Sequence, residues 1–130
     1  MRISLFLLFA VFLTALIHAD DKFITHVTLT TYNATKAQCD ETPDVTANGT
    51  IIDHKKLKQG KLKYCAISPD LLWCIPMGSI IYIDGHGRYE VVDTMNARFN
   101  HHIDILQYYT EKNFKKEKIK IVLVKKYKKK

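Results

Sequence analysis

Cysteine is scarce in this chain, and its spacing does not indicate a metal site. The 130 residues include three cysteines, Cys39, Cys65 and Cys74. Three cysteines allow at most one intramolecular disulfide, and burial is the commonest fate of a thiol left over. No CxxC or CxH spacing is present, so the usual structural zinc patterns are excluded.

The chain also has a single long apolar run, which lies at its start. Met1–Ala19 combines a basic Arg2, the apolar run Ile3–Ile17 and a small residue before Asp20, as in a secretory signal peptide. A membrane anchor is the alternative, but the run is short for a span. No cysteine follows the run, which argues against a bacterial lipoprotein signal. We therefore expect an exported protein of the periplasm, the cell envelope or the medium.

Most of the chain has no net positive charge, although the net charge of the whole chain is +7. Residues 112–130 hold ten lysines and one glutamate, whereas residues 20–111 hold nine basic and twelve acidic residues, a net charge of −3. We expect one domain over residues 20–111, a last strand reaching about residue 124 and a basic tail over 125–130. Such a tail suits anionic envelope polymers or lipid headgroups, and a solvated terminus is the simpler interpretation. Export makes nucleic acid an unexpected partner, and we expect a monomer.

Short segments with alternating apolar residues predict a mainly β fold. The predicted strands are Lys22–Tyr32, Thr50–Ile52, Leu62–Ile67, Ser79–Ile83, Arg88–Val92 and Lys118–Val124, with a hairpin turn at Asp84–Gly87. The remaining segments are predicted as a long surface loop (Asn33–Gly49), a connector (His54–Lys63), a helical turn (Ser68–Trp73) and a short helix (Ile105–Asn113). Short strands with few helices indicate a small β-barrel with short helices.

Aspartates beside apolar residues are the strongest candidates for chemistry. Asp93 follows two valines, and Asp104 lies between two isoleucines. Because a poorly hydrated carboxyl group has a raised pKa, either residue suits general acid catalysis, and we expect both to face one cleft. Asp70, after Ser68-Pro69, is a third candidate. The structural alternatives are a helix start for Asp70, a turn for Asp93 and a helix cap for Asp104.

Several short motifs occur in an order that resembles a known family. Thr46–Gly49 resembles its T-A-x-G motif, Ile75–Gly78 its I-P-x-G motif, Asp93-Thr94 the start of its D-T-G motif and Ile103-Asp104 its I-D motif. These are motifs of the 3D (Asp-Asp-Asp) domain, which is similar to the C-terminal part of membrane-bound lytic transglycosylase A. The likeness covers roughly Thr28–Leu106. It implies a double-psi β-barrel that cleaves peptidoglycan without a metal or another cofactor.

The resemblance also implies roles for the three aspartates. Asp104 is similar to the family's catalytic acid, and Asp93 and Asp70 are similar to its two supporting aspartates. Ser68 is the rival position for the supporting aspartate aligned with Asp70. The implied reaction is lytic transglycosylation of the bond between N-acetylmuramic acid (MurNAc) and N-acetylglucosamine (GlcNAc), in peptidoglycan or a related glycan polymer.

Other residues near these motifs are candidates for substrate binding. Asn96, Arg98 and His102 are expected to contact the glycan through polar groups, and Tyr82 by stacking on a sugar face. The segment Met95–Arg98 stands where the family usually has a glycine-rich loop, and glycines allow a backbone to approach a sugar closely. This difference favours the alternative function, a non-catalytic expansin-like module that binds glycans.

Overall fold

The computed structural model describes residues 23–40 and 44–128. The predicted signal peptide over residues 1–19 lies outside these ranges. Within them, no helix combines the length and the apolar character needed to cross a membrane.

The described ranges form a small β protein with little helix. The strands are β1 (Ile24–Asn33), β2 (Asp44–Val45), β3 (Ile51–Ile52), β4 (Tyr64–Ile67), β5 (Ile80–Ile83), β6 (Gly87–Thr94), β7 (His102–Gln107) and β8 (Lys115–Lys125). The helices are α1 (Lys36–Asp40), α2 (His54–Lys58) and a single 3₁₀ turn (Pro69–Leu71). The prediction of a mainly β fold, a small β-barrel with short helices, is confirmed.

Six of the strands close into a barrel in the order β1-β7-β4-β6-β5-β8. The pairs β1/β7 and β4/β6 are parallel, and the other neighbours are antiparallel. β2 and β3 form a separate two-stranded sheet. The parallel pairs bring together segments that are far apart in sequence, because parallel strands cannot be joined by a tight turn.

Alternation along the strands separates a core face from an outer face. Val27 and Leu29 of β1 and Ile103 and Ile105 of β7 are buried in the main hydrophobic cluster inside the barrel. The residues between them therefore point outward, and on β7 one of these is Asp104. A second, smaller cluster packs α2 and Leu106 against the outside of the barrel.

Several local predictions were wrong, and long-range pairing explains one of them. Ile105–Asn113 is not a helix, because β7 continues to Gln107 in pairing with β1. The predicted connector His54–Lys63 begins with helix α2, whose first turn is capped by the Asp53 carboxylate. The predicted loop Asn33–Gly49 contains α1 and β2. The last strand, β8, is longer than predicted at both ends.

The hairpin and the turn after β4 agree with their predictions. β5 and β6 pair antiparallel across the turn at Asp84–Gly87. The 3₁₀ turn Pro69–Leu71 lies within the predicted helical turn Ser68–Trp73, and the Ser68 side chain makes no cap hydrogen bond. None of the three cysteines forms a disulfide, and Cys65 and Cys74 are buried.

Candidate functional site

A cavity of about 450 Å³ opens on the outer face of the barrel, across β1, β7, β4 and β6. This volume is within the usual range for small-ligand sites. The cavity is lined by Thr30, Thr31, Tyr32, Ala66, Asp93, Thr94, Met95, Asn96, Phe99, His102 and Asp104.

The strand register places the two predicted aspartates in one row across the sheet. Thr30 of β1 is the register partner of Asp104 in β7, and Asp104 is the partner of Ala66 in β4. Ala66 is in turn the partner of Asp93 in β6. Because neighbouring strands are about 4.8 Å apart, the Cα atoms of Asp93 and Asp104 are about 10 Å apart. The small side chain of Ala66 lies between them and leaves room for a ligand.

Asp104 is partly buried, and the hydroxyl group of Thr30 is bonded to its carboxylate. Thr30 Oγ1 donates a hydrogen bond of 2.9 Å to Asp104 Oδ1. Burial raises the pKa of Asp104, while the bond from Thr30 and the charge of His102 act in the opposite direction. The net rise in pKa follows from desolvation of the charged form. Asp104 therefore holds a proton at a higher pH than an exposed aspartate does.

His102 is joined to Asp104 through the same hydroxyl group. Thr30 Oγ1 lies 2.7 Å from His102 Nε2, and since the hydroxyl donates its only hydrogen to Asp104, Nε2 carries the proton of this contact. The backbone N–H of His102 donates to Ser68 Oγ at 3.0 Å, and the imidazole ring meets Phe99 edge to face. Burial lowers the pKa of His102. The side chains of His102, Thr30 and Asp104 form a hydrogen-bonded chain that ends at Asp104.

Asp93 is held by backbone groups. Its Oδ1 accepts a hydrogen bond from the N–H of Thr94 at 2.9 Å and another from the N–H of Ala47 at 3.2 Å. Ala47 belongs to the turn Thr46–Thr50, in which Asn48 Oδ1 accepts hydrogen bonds from the hydroxyls of both threonines. The T-A-N-G segment therefore packs beside the cavity and orients Asp93.

Asp70 does not line the cavity. Its Oδ2 accepts a hydrogen bond of 2.9 Å from the backbone N–H of His101 and lies 3.1 Å from His101 Nδ1. Partial burial alone would raise the pKa of Asp70, but hydrogen bonds from Ser68 and His101 and the charge of His101 lower it overall. His101 has a left-handed backbone, with φ of 45°, directly before β7. Asp70 thus supports the turn that leads into the strand carrying Asp104.

The predicted substrate-binding residues are divided between the cavity and other surfaces. Asn96 and His102 line the cavity. Arg98 is exposed, its guanidinium carbon lies 4.8 Å from the centre of the Phe99 ring, and it does not line the cavity. Tyr82 is on β5, 42% exposed, and takes no part in the lining.

Thr30 and Tyr32 are among the cavity-lining residues that were not predicted from the sequence. Both are on the outer face of β1, opposite the core residues Val27 and Leu29. Tyr32 Oη is buried and has no hydrogen-bond partner among the described residues. The signal for these residues was the alternation itself, because a strand whose second face carries threonine and tyrosine presents hydroxyl groups to whatever lies beside it.

The comparisons with known proteins do not indicate a function. No protein-family model matches the chain, and no curated protein is significantly similar to it in sequence. Among the described residues, no group of three or more His, Cys, Asp or Glu side chains is arranged to hold a metal ion.

Proposed function

We propose that this protein is an exported lytic transglycosylase that cleaves the bond between MurNAc and GlcNAc in peptidoglycan, with Asp104 as acid and base. The observation that supports this most directly is the environment of Asp104. Its carboxyl group is partly buried, has a raised pKa and lies in a ligand-sized cavity beside a second carboxylate. Pairs of carboxyl groups in different environments are typical of glycosidases.

In the first step, protonated Asp104 donates its proton to the glycosidic oxygen. The bond between this oxygen and C1 of MurNAc breaks, the GlcNAc hydroxyl group leaves, and positive charge develops on C1 and the ring oxygen. The raised pKa assists this step, because it keeps a larger fraction of Asp104 protonated. The charge of Asp93 stabilises the developing cation, and its two backbone hydrogen bonds keep it in place.

In the second step, the Asp104 carboxylate removes the proton from the 6-hydroxyl group of MurNAc. The oxygen of that group attacks C1 and closes a 1,6-anhydro ring, while Asp104 regains its proton. The Thr30 hydroxyl donates to Asp104 throughout the negatively charged stage, and His102 in turn donates to Thr30. Both proton transfers use one carboxyl group, Asp104, and the cycle needs no water molecule.

The second candidate function is a non-catalytic glycan-binding module. Met95 lines the cavity and its backbone N–H donates to Ile67 O at 2.9 Å, so this segment is anchored to β4 and places a bulky side chain beside the two carboxylates. A cavity narrowed in this way would hold a sugar polymer without the close backbone approach that catalysis needs.

Product analysis separates the two functions. Protein lacking residues 1–19 is incubated with purified peptidoglycan, and mass spectrometry measures anhydro-muropeptides. We expect these products from the wild type and from Asp84→Asn, because Asp84 is exposed in the hairpin turn, and none from Asp104→Asn. Anhydro products at equal levels from the wild type and Asp104→Asn would reject catalysis by Asp104. Binding without products would favour the module.

A further inference from the structure

An exposed apolar row crosses the barrel on the side away from the cavity. Tyr82 of β5 is the register partner of Val122 in β8, and Val122 is the partner of Ile24 in β1. Tyr82 is 42% exposed, Ile24 is 50% exposed and Val122 is partly buried. The middle of the cavity is formed by β7 and β4, which lie opposite β5 and β8 in the closed strand order. This row and the proposed glycan site are therefore on different surfaces.

The side chains of this row point away from the barrel core. Tyr82 lies between two fully buried isoleucines of β5, and Val122 directly follows a third on β8. Val124, two residues after Val122 and on the same face of β8, is 42% exposed. We call Ile24, Tyr82, Val122 and Val124 the apolar row. Exposed apolar side chains that adjoin one another and are bordered by charge are typical of an interaction surface.

The border of the apolar row is basic. Arg88 is the register partner of Tyr82, and Lys120 precedes Val122 by two residues on the same face of β8. Strand β8 carries five lysines and one glutamate, all of them exposed. Residues 115–130 together hold nine lysines and one glutamate, a net charge of +8. Asp84 and Glu90 of the hairpin lower this charge without reversing its sign.

We propose that this surface binds an anionic lipid bilayer, in which the apolar row inserts among the headgroups and the lysines of β8 contact lipid phosphates. A soluble polyanion would engage the lysines and gain nothing from exposed isoleucine and valine side chains, whereas a bilayer offers both an anionic surface and an apolar interior. A second copy of the chain would bring the same positive charge and be repelled. Tyr82 suits the boundary, because tyrosine combines an apolar ring with a polar hydroxyl group.

Binding in this orientation directs the cavity away from the bilayer. The cavity is lined by Asp93 and Asp104, whose charge is repelled by anionic headgroups, while the lysines of β8 are attracted. The separation of charge across the barrel therefore fixes the orientation as well as the affinity. No residue that lines the cavity belongs to the apolar row, so the inference is independent of the proposed reaction.

The test is sedimentation with lipid vesicles. Protein lacking residues 1–19, which removes the N-terminal apolar run and keeps the whole barrel, is mixed with vesicles of phosphatidylglycerol and phosphatidylcholine or of phosphatidylcholine alone. We expect binding to the anionic vesicles to be at least about 10-fold tighter than to the neutral ones. Lys120→Gln should weaken it about 5-fold, the effect of one lysine near an anionic surface. Ile24→Thr should weaken it about 3- to 10-fold by removing apolar surface while keeping a β-branched side chain.

Matched variants separate this surface from the rest of the molecule. Ile51→Thr makes the same change as Ile24→Thr at a side chain that is 67% exposed on the separate β2–β3 sheet. Lys61→Gln removes the same charge as Lys120→Gln from an exposed residue before β4. Both controls should bind the anionic vesicles as the wild type does. Asp104→Asn should also bind them as the wild type does, whatever its effect on peptidoglycan.

Four outcomes would overturn the inference. Equal binding to neutral and anionic vesicles would contradict the role of charge. Equal losses in Ile24→Thr and Ile51→Thr would contradict the location. Loss in Lys120→Gln without loss in Ile24→Thr would assign the surface to a soluble polyanion, and a dimer that light scattering detects in the wild type and not in Ile24→Thr would assign it to a second copy. Tyr82→Thr replaces Ile24→Thr in these comparisons if circular dichroism shows that Ile24→Thr does not fold.

Discussion

The Thr30 hydroxyl group connects Asp104 to His102, and Thr30→Val removes it while keeping the side-chain shape. Asp104 loses a donor at 2.9 Å and His102 Nε2 loses a partner at 2.7 Å. A hydrogen bond to a charged group contributes about 1.5–3 kcal/mol, and both groups are at least partly buried. We expect the free energy of unfolding at pH 7 to fall by about 1–3 kcal/mol, which in a domain of this size lowers the melting temperature by about 4 °C per kcal/mol.

The pH dependence of this loss identifies its origin. The bond from Thr30 lowers the pKa of Asp104, so the pKa should rise in Thr30→Val. The bond stabilises the charged form, so its contribution is present above the pKa of Asp104 and is lost as the pH falls through that pKa. The destabilisation should therefore shrink in acid. Carbon-detected NMR titration of the aspartate carboxyl groups measures the pKa, and chemical denaturation at several pH values measures the stability.

Thr30→Ser is the matched control, because it keeps the hydroxyl group and loses only a methyl group. We expect Asp104 in Thr30→Ser to titrate as in the wild type. An unchanged Asp104 titration in Thr30→Val, or an equal shift in Thr30→Ser, would refute the hydrogen-bonded chain. If Asp104 is the catalytic acid, the acid–base profile of product formation in Thr30→Val should move to higher pH together with the pKa.

Four further predictions concern charge, backbone and thiol chemistry. Asp104→Asn should stabilise the fold at pH 7, since burial raises the pKa of Asp104 and ionisation above it is unfavourable; the gain should vanish below the ordinary aspartate pKa of 3.8. Asp70→Asn should destabilise at pH 7, since the pKa of Asp70 is lowered, and the loss should shrink as the pH falls below 3.8 toward the lowered pKa. Urea denaturation at pH 3 and pH 7 measures both variants, and changes of the same sign at pH 7 would contradict the assigned environments. Gly78→Ala should cost about 1–3 kcal/mol in the same assay, because φ is +89° and a Cβ atom would lie 3.1 Å from the Tyr127 ring; a neutral result would contradict both the left-handed backbone at Gly78 and the packing of Tyr127 against it. Cys65 is fully buried and burial raises the pKa of its thiol, so iodoacetamide should modify it only after unfolding; modification of the native protein, detected by mass spectrometry, would contradict this burial.

The parts of the fold that depend on local patterns could be predicted from the sequence. The hairpin between β5 and β6 follows from alternation around a glycine-rich turn. The predicted ends of both strands lie within two residues of the observed ends. The outward position of Asp104 follows in the same way, since its neighbours on β7 are isoleucines that face the core. A carboxylate between two core residues must lie on the outer face of its strand, where neighbouring segments of the same chain can partly cover it.

The parts that depend on long-range pairing could not be predicted. Thr30 and Asp104 are 74 residues apart, and nothing local indicates that β1 and β7 are parallel neighbours. The segment after Asp104 has an ambiguous pattern, and its pairing with β1 overrides any helical preference. The pairing of β5 is not indicated by local sequence either, and this explains why Tyr82 was expected at the site. β5 pairs with β6 and β8, on a different side of the barrel.

The two cavity carboxylates differ in how they are held, and this difference gives the proposed mechanism its direction. Asp93 accepts two hydrogen bonds from rigid backbone N–H groups, whereas Asp104 accepts one from a rotatable hydroxyl group. Backbone donors cannot reverse their polarity, so Asp93 Oδ1 can only accept from them. The Thr30 hydroxyl can turn to accept a hydrogen bond from a protonated Asp104, or donate to the carboxylate that remains after proton transfer. Of the two, Asp104 is therefore the carboxyl group whose partner tolerates both protonation states, as a residue that acts first as acid and then as base requires.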